Sequence, residues 1–373
     1  MVFLAQTSGH HLEYFNHLHE YVGKNKKEHY VFVVPEEFIV LRDKFVWNYY
    51  KNISFHYIKD VDLKRHINNK FVKAFHLSIL LKKTAKLFNS KDVFLIDLMT
   101  FLPFLPFLLS KEYNVSGIIY HIYLYKWNRS TLLGKIQDVF KYSLFANFSC
   151  FTNVFILNDG SAFKHLNTLY KVKKFKYLPD PVVPINSNDL IDLRKRLNIN
   201  VNAQVILHFG AMTETKGTME IFDFIKKTPE IDLKGKVFVF AGVIKKDIKE
   251  EFYSSLEELK IKTQIFVYDD FLDFKFIASL FNSADVIFCP YQRVYQSSGV
   301  IGYAVQFNKP VIVPQQGFLG KLVRNNRIGI TYEKFDNQNI LDALLKAEKY
   351  QINDNYLNGH TIEEFSSSIL NSF

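Results

Sequence analysis

Short apolar runs alternate with longer stretches of helical spacing along the whole chain. Met1–Gln6 is a short apolar run, followed by a Ser8-Gly9-His10-His11 loop. Leu12–Val22 then carries apolar residues at Leu12, Phe15, Leu18 and Tyr21 or Val22, the spacing of one helix face. Tyr30–Pro35, Val93–Asp97, Gly117–Tyr125 and Val154–Asn158 read as strands, with Leu63–Phe88 and Leu132–Phe145 as helices between them. Strand, helix, strand in this rhythm predicts a parallel sheet with crossover helices.

Around Tyr177–Asn188 the rhythm breaks, where three prolines with Asp, Ser and Asn form a loop that we read as a domain boundary. A helix over Asp189–Leu197 follows, and the alternation restarts. Strands are predicted at Gln204–Phe209, Lys236–Ala241, Gln264–Tyr268, Val286–Cys289, Pro310–Val313 and Gly329–Tyr332. The intervening helices are Gly217–Lys226, Lys249–Leu259, Phe274–Asn282 and Val300–Phe307, and Asn339–Tyr350 and Ile362–Phe373 close the chain. The expected architecture is two doubly wound α/β domains in tandem, 1–180 and 181–355, with 356–373 as a terminal helix packing back on the first. Ligands in such sheets bind beyond the carboxyl ends of the strands.

Composition sharpens this picture in three ways. Hydrophobic residues make up 48% of the chain, enough for two cores and far above disordered compositions. The 37 Phe and 21 Tyr read as core filler, or in part as an aromatic surface that faces a membrane. Two cysteines, Cys150 and Cys289, both in apolar segments, argue against a disulfide framework and a cysteine metal site and fit a reducing cytoplasm. No signal peptide is read at the N-terminus, and no run approaches the ~18 apolar residues of a membrane span. Charge is divided unevenly: residues 1–180 hold 25 Lys+Arg against 14 Asp+Glu (+11), and residues 181–373 hold 22 against 23 (−1). A basic first half attracts anionic partners, whether phosphorylated acceptors, lipid headgroups or nucleic acid. No nucleic-acid module is recognisable, so nucleic acid is not expected.

Two turns carry chemistry. In His208–Gly217 (HFGAMTETKG) a strand ends at Phe209, Gly210 opens a turn, and Lys216-Gly217 starts a helix. Amides at a helix start favour an anion, Lys216 adds a full charge, and the pair suits a pyrophosphate. An ordinary βα turn with a surface lysine has the same residues. In the second turn, Ser297-Ser298-Gly299 precedes an apolar helix after the strand ending at Pro290. Hydroxyls and an unhindered amide there suit phosphate, or simply cap the helix. Both turns follow strands of one sheet.

In these blocks the chain resembles the retaining GT-B glycosyltransferases of family 4 (glycosyl transferases group 1). The matching places are Gly210, Ala211, Lys216 and Gly217, the strand Phe238–Gly242, Ser283-Ala284-Asp285-Val286 with Pro290, and Pro310-Val311-Ile312. The resemblance is specific over 204–332 and looser in the N-terminal half, where a glycine-containing first loop and a strand ending in His121 fit. It implies a GT-B fold, two Rossmann-like domains facing across a cleft, with the acceptor held by the first and the nucleotide-sugar by the second. The family's paired glutamates, eight residues apart, fall on Tyr295 and Tyr303; its phosphate arginine falls on Ala211 and its base-loop glycine on Asp270.

What the resemblance implies is transfer of a hexose-type sugar, with retention, from a UDP- or GDP-linked donor to a glycan or lipid-linked acceptor in cell-surface polysaccharide assembly. Gly210, Lys216, Gly217, Asp270, Tyr295, Ser297, Ser298, Gly299 and Tyr303 would line the donor site. Lys216 and His121 would serve catalysis, and Gly9, His10 and His11 would meet the acceptor. No cofactor is expected, and no metal, since no Asp-x-Asp motif or His/Cys/Asp cluster is present. The basic amphipathic stretch Lys64–Lys86 and the run Leu98–Leu109 suggest peripheral attachment to the inner face of a membrane, although a crossover helix and a buried segment account for them too. An epimerase would need acid and base residues around the donor C2, and no such set is evident. The alternative from another class is a catalytically inactive GT-B homologue that acts as a binding or scaffolding subunit.

Overall fold

Apolar runs too short for a core helix become strands buried on both faces, the pattern of an all-parallel sheet covered by helices. The computed structural model describes residues 1–7, 10–42, 47–63, 67–109, 111–185, 190–293, 295 and 297–372. The chain divides into two units, Met1–Asp180 with Ile362–Phe373, and Pro181–Thr361.

The first unit holds a seven-stranded sheet of β1 (Val2–Phe3), β2 (Tyr30–Pro35), β3 (Ile53–Ile58), β4 (Asp92–Leu95), β5 (Asn114–Ile119), β6 (Phe151–Leu157) and β7 (Phe175–Leu178). Every pairing is parallel, and the order is β3-β2-β1-β4-β5-β6-β7. Alternation of side chains sends Phe3, Val33 and Leu95 into one core and Val2, Phe32 and Phe94 into the other. The Lys70–Leu87 helix, capped by the Asn69 side chain on the amides of Phe71 and Val72, covers the first face with Ala74, Leu77, Leu81 and Ala85. The His10–Asn25 helix covers the second, together with the terminal Ile362–Leu370 helix, whose Phe365 ring lies 4.9 Å from that of Tyr14.

The second unit holds β8 (Gln204–Phe209), β9 (Lys236–Ala241), β10 (Gln264–Tyr268), β11 (Val286–Phe288), β12 (Val311–Pro314) and β13 (Gly329–Tyr332). They run parallel in the order β10-β9-β8-β11-β12-β13. This is the doubly wound order of a dinucleotide-binding sheet, in which the winding reverses between the first and fourth strands, here β8 and β11.

Several elements differ from their sequence pattern. The strand read over Gly117–Tyr125 ends at Ile119, and a 3-10 turn occupies Tyr123–Arg129, because apolar composition alone does not separate strand from buried turn. The helix read as Leu63–Phe88 comprises a turn at Asp60–Leu63 and a helix at Lys70–Leu87; residues 64–66 lie outside the described residues. Of the helix read over Asp189–Leu197, Asp189 lies outside them too, and the helix is the short Leu193–Arg196, started by the Asp192 carboxylate on the Lys195 amide. Phe373, read as the end of the last helix, also lies outside. The Leu98–Leu109 run is a folded segment with Leu98, Phe101, Leu102, Leu105 and Leu109 buried.

Candidate functional site

The reversal point of the second sheet is where this fold can hold a ligand, since connections from β8 and β11 leave in opposite directions and open a crevice at the carboxyl edge. Two glycines let the β8 connection pack closely, Gly217 against the one after β11 and Gly242, just past β9, against Gly210. Gly217 has φ +72°, and a Cβ there would stand 2.1 Å from the Pro290 carbonyl oxygen. Gly242, φ +128°, would meet the Gly210 carbonyl at 2.2 Å. Only a residue without Cβ permits either approach. The Gln292 amide donates to the Thr215 carbonyl at 3.1 Å, joining the two connections through the backbone as well.

Lys216 lies at the centre of this arrangement. The Thr213 hydroxyl accepts its amide at 3.2 Å and starts the Glu214–Lys216 turn. Its ammonium sits 3.7 Å from the centroid of the Tyr291 ring. No carboxylate pairs with it among the described residues. Burial holds its pKa below the ordinary lysine value, with the Cys289 thiol acting the other way. A half-buried cation held against a π face and not paired by a carboxylate gains most from an incoming anion.

Around it the polar groups are ordered. His208 Nδ1 donates to the Phe288 carbonyl (3.0 Å), and in the neutral ring Nε2 accepts from the Thr218 hydroxyl (3.0 Å). Burial drives its pKa to about 4, with the Phe288 hydrogen bond opposing and Lys216 reinforcing. Gln292 donates to Glu220 Oε1, while Glu220 Oε2 is buried with no hydrogen-bond partner among the described residues. The buried Ser298 hydroxyl lies 3.3 Å from the Tyr291 hydroxyl.

The residues named from sequence therefore separate. Gly210, Lys216, Gly217, Ser298 and Gly299 all lie on the two connections flanking the reversal point. Ser298 turns its hydroxyl inward to Tyr291, and its carbonyl accepts the Ile301 amide at the start of the Val300–Gln306 helix. Ser297 and Tyr295 are half-buried in the same connection. Tyr303 packs its ring against Phe209 (6.2 Å) and Phe281 (5.7 Å), as a member of an aromatic cluster. Asp270 is exposed after edge strand β10, two strands and about 10 Å from β8. Its neighbour Asp269 accepts from the Ile244 amide (2.7 Å) and pairs with Lys249 (2.7 Å), tying its loop to the one after β9. Tyr291, His208, Glu220 and Gln292 were not singled out by sequence reasoning.

The first unit has its own reversal point, between β1 and β4. Gln6 Nε2 donates to His11 Nδ1 at 3.0 Å, and the His11 ring lies 5.1 Å from that of Tyr120. Burial lowers the His11 pKa, Asp97 opposes this, and His10 adds to it. Tyr120 stacks on Tyr14, whose hydroxyl donates to Asp180 at 2.5 Å. His10 is exposed, 3.2 Å from Glu13. His121 is exposed just past β5, and its carbonyl accepts from the Tyr142 hydroxyl at 2.7 Å. Gly9 lies outside the described residues. Gln6, Asp97 and Tyr120 complete a cluster of which only His11 was legible in sequence. Among the described residues no three His, Cys, Asp or Glu side chains group as metal ligands.

Two such sheets in tandem define the GT-B class, and solved structures of that class match nearly the whole chain. WaaG, a glycosyltransferase involved in lipopolysaccharide biosynthesis, matches with a TM-score of 0.67 at 15% identity, covering 98% of this chain and 96% of that one. Anabaena Alr3699/HepE in complex with UDP matches at 0.70 and 13% identity, covering 100% and 98%. A glycosyltransferase from Rickettsia africae matches at 0.66 and 15%, covering 99% and 96%. No curated protein matches the sequence. Residues 191–360 match the family described as Glycosyl transferases group 1, so the second unit carries the domain of that family on a GT-B fold.

Proposed function

We propose that this protein transfers a hexose-type sugar, with retention, from a UDP- or GDP-linked donor to a glycan or lipid-linked acceptor in cell-surface polysaccharide assembly. The observation that carries the reading is Lys216, a half-buried cation that no carboxylate pairs among the described residues, at the reversal point of the β8–β13 sheet. A nucleoside diphosphate is the leaving group of such a reaction, and a fixed positive charge beside it stabilises the charge that develops there. In this reading residues 181–355 bind the donor. Gly210 and Gly217 allow the diphosphate to approach the backbone, and the amides of Ser297, Ser298 and Gly299 add hydrogen bonds. No metal is required for that role. The bound UDP and UDP-glucose of Alr3699/HepE support a uridine donor by analogy of fold. Residues 1–180 hold the acceptor, with Gly9, His10 and His11 meeting it and His121 contacting donor or acceptor hydroxyls. A cytoplasmic protein peripheral to the inner face of a membrane fits a lipid-linked acceptor and the +11 charge of this half.

A second reading, a binding subunit without turnover, is favoured by Tyr295 and Tyr303 standing where the resembled family has glutamates, with Tyr303 engaged in aromatic packing. One experiment separates them. The protein and Lys216→Ala are screened by thermal shift against UDP, GDP, dTDP, CMP and their sugars, and each stabilising donor is then assayed for hydrolysis or transfer. Selective stabilisation lost in the variant, followed by turnover, supports the transferase. Stabilisation without turnover favours the binding subunit. Absence of any stabilisation defeats both.

A further inference from the structure

We propose that the Leu132–Asn147 helix and the Tyr123–Arg129 turn beside it form the surface by which the first unit docks on an anionic lipid bilayer. The helix is fixed on one side only. Tyr142, Phe145 and Ala146 are buried in the core, and the Thr131 hydroxyl caps its start on the Gly134 amide at 3.2 Å. The opposite side is apolar and bare: Leu132 is 75% exposed, Leu133 66% and Ile136 57%, with Val139 and Phe140 also exposed. At ~100° per residue these five fall within one arc of about 120°, the width of a face that expects a partner. Trp127 continues the face, and Lys135 holds its ammonium 5.1 Å from that ring. Beside them opens a groove of about 540 Å³ lined by Tyr123, Trp127, Val139, Leu169 and Tyr170.

Charge selects the occupant. Residues 121–180 contain nine lysines and arginines and three acids, Asp138, Asp159 and Asp180. All three acids are buried, and Asp138 is engaged by Lys126 at 2.8 Å. Among the described residues of 121–180 the charges that reach solvent are therefore cations, and Lys135 stands directly beside the apolar face. A second copy of this chain would bring like charges together, whereas anionic headgroups neutralise them while their acyl region takes the apolar side chains. Among the described residues no helix is long and apolar enough to cross a membrane, so the helix lies on the surface. The Lys70–Leu87 helix, which holds most of the Lys64–Lys86 stretch favoured by sequence, buries Ala74, Leu77, Leu81 and Ala85 on the sheet; Phe71, Val72 and Phe75 are exposed near its start and Leu87 at its end, a smaller and less continuous apolar face. Crossover helices run antiparallel to the strands, so Leu132 and Leu133 lie at the carboxyl edge, the edge that carries His11 and Tyr120. A membrane-held acceptor would thus be presented to the loops assigned to it.

The proposal deepens the lipid-linked-acceptor reading and rests on it only in taking a bilayer as the occupant, and its test reads binding without turnover. The full chain is sedimented with vesicles of phosphatidylcholine alone and with vesicles that also contain phosphatidylglycerol. It should pellet with the anionic vesicles, weakly with the neutral ones, and less as salt rises. Leu133→Glu and Ile136→Glu should each weaken partition by about tenfold or more, given the apolar area withdrawn. Ile261→Glu, at an exposed apolar position of the second unit, should bind as the parent does. Circular dichroism establishes that each variant is folded. In a Trp47→Phe background the remaining Trp127 should shift to the blue on anionic vesicles. Equal binding to both vesicle types, no binding to either, or full binding by Ile136→Glu overturns the proposal. A concentration-dependent dimer abolished by Ile136→Glu, without vesicle binding, replaces the bilayer by a second copy. Vesicle binding that persists while no nucleotide binds sinks the transfer reading and leaves the docking surface standing.

Discussion

The Lys216 ammonium rests on the face of the Tyr291 ring, 3.7 Å from its centroid, and no carboxylate pairs with it among the described residues. The π face offsets part of the cost of withdrawing the charge from water, and the rest is carried by the fold. Lys216→Met should therefore leave the unliganded protein at least as stable as the parent in urea. The same change should weaken nucleoside diphosphate binding by roughly 10- to 100-fold, the value of one charged hydrogen bond of about 1.5–3 kcal/mol. Calorimetric titration of UDP and GDP into both proteins checks this. A variant that binds as the parent does would remove Lys216 from the site.

Gly217 and Gly235 both have positive φ, +72° and +75°, yet only Gly217 has a neighbour in the way. Gly235→Ala meets nothing within 4 Å and should cost only the left-handed backbone penalty of about 1–2 kcal/mol. Gly217→Ala adds an overlap with the Pro290 carbonyl at 2.1 Å, which is backbone and cannot swing aside. Its cost should reach about 3 kcal/mol or more, and it should part the two connections that hold Lys216 and Ser298. Urea denaturation of the two variants side by side reads the difference. Equal losses would mean that the loop relaxes freely.

Stability should fall in mild acid through His208. Its folded pKa is about 4 against an ordinary 6.5, so the ring stays neutral in the fold while the unfolded chain takes up a proton. The contribution is complete above pH 6.5 and is lost as pH falls toward 4, by about 3 kcal/mol in all. His208→Asn keeps a donor for the Phe288 carbonyl but cannot titrate. Its stability should decline less between pH 7 and pH 4.5 than that of the parent. His19, also held near pKa 4 by burial, is common to both proteins and cancels. Parallel pH profiles for the two would show that His208 does not titrate with folding.

What the chain reveals in sequence follows from how each element is buried. Gln204–Phe209, Lys236–Ala241, Gln264–Tyr268 and Gly329–Tyr332 are strands with the bounds that their apolar runs suggest. The edge strands of the first sheet, Ile53–Ile58 and Phe175–Leu178, carry Ser54, His56 and Lys176 and form no continuous apolar run, so pattern alone passes over them. The Gly317–Asn326 helix is hidden by its glycines; Gly320 is required there because a Cβ would stand 2.2 Å from the Gln315 carbonyl. At the site, Gly210, Lys216 and Gly217 are legible because a turn between strand and helix needs such residues locally. Tyr291 is not, because its role is a through-space contact that depends on β8 and β11 lying side by side.

Tyr303 offers the sharpest test of how the proposed donor site differs from that of the resembled family. In the resembled family a glutamate stands at this place, and the simplest expectation is that restoring it would restore a lost contact. The structure argues otherwise. The Tyr303 ring packs edge-on to Phe209, the last residue of β8, and lies against Phe281 of the Phe274–Ser283 helix. A carboxylate at this half-buried position would lose the ring packing and part of its hydration without gaining a partner among those rings. Tyr303→Glu should therefore lower the melting temperature and weaken nucleotide binding, while Tyr303→Phe, which keeps the ring, should leave the fold intact within about 1 kcal/mol. Loss of nucleotide binding in a still-folded Tyr303→Phe would show that the hydroxyl contacts the donor. Tighter binding or faster turnover in Tyr303→Glu would show that this position accepts the acid of the resembled family.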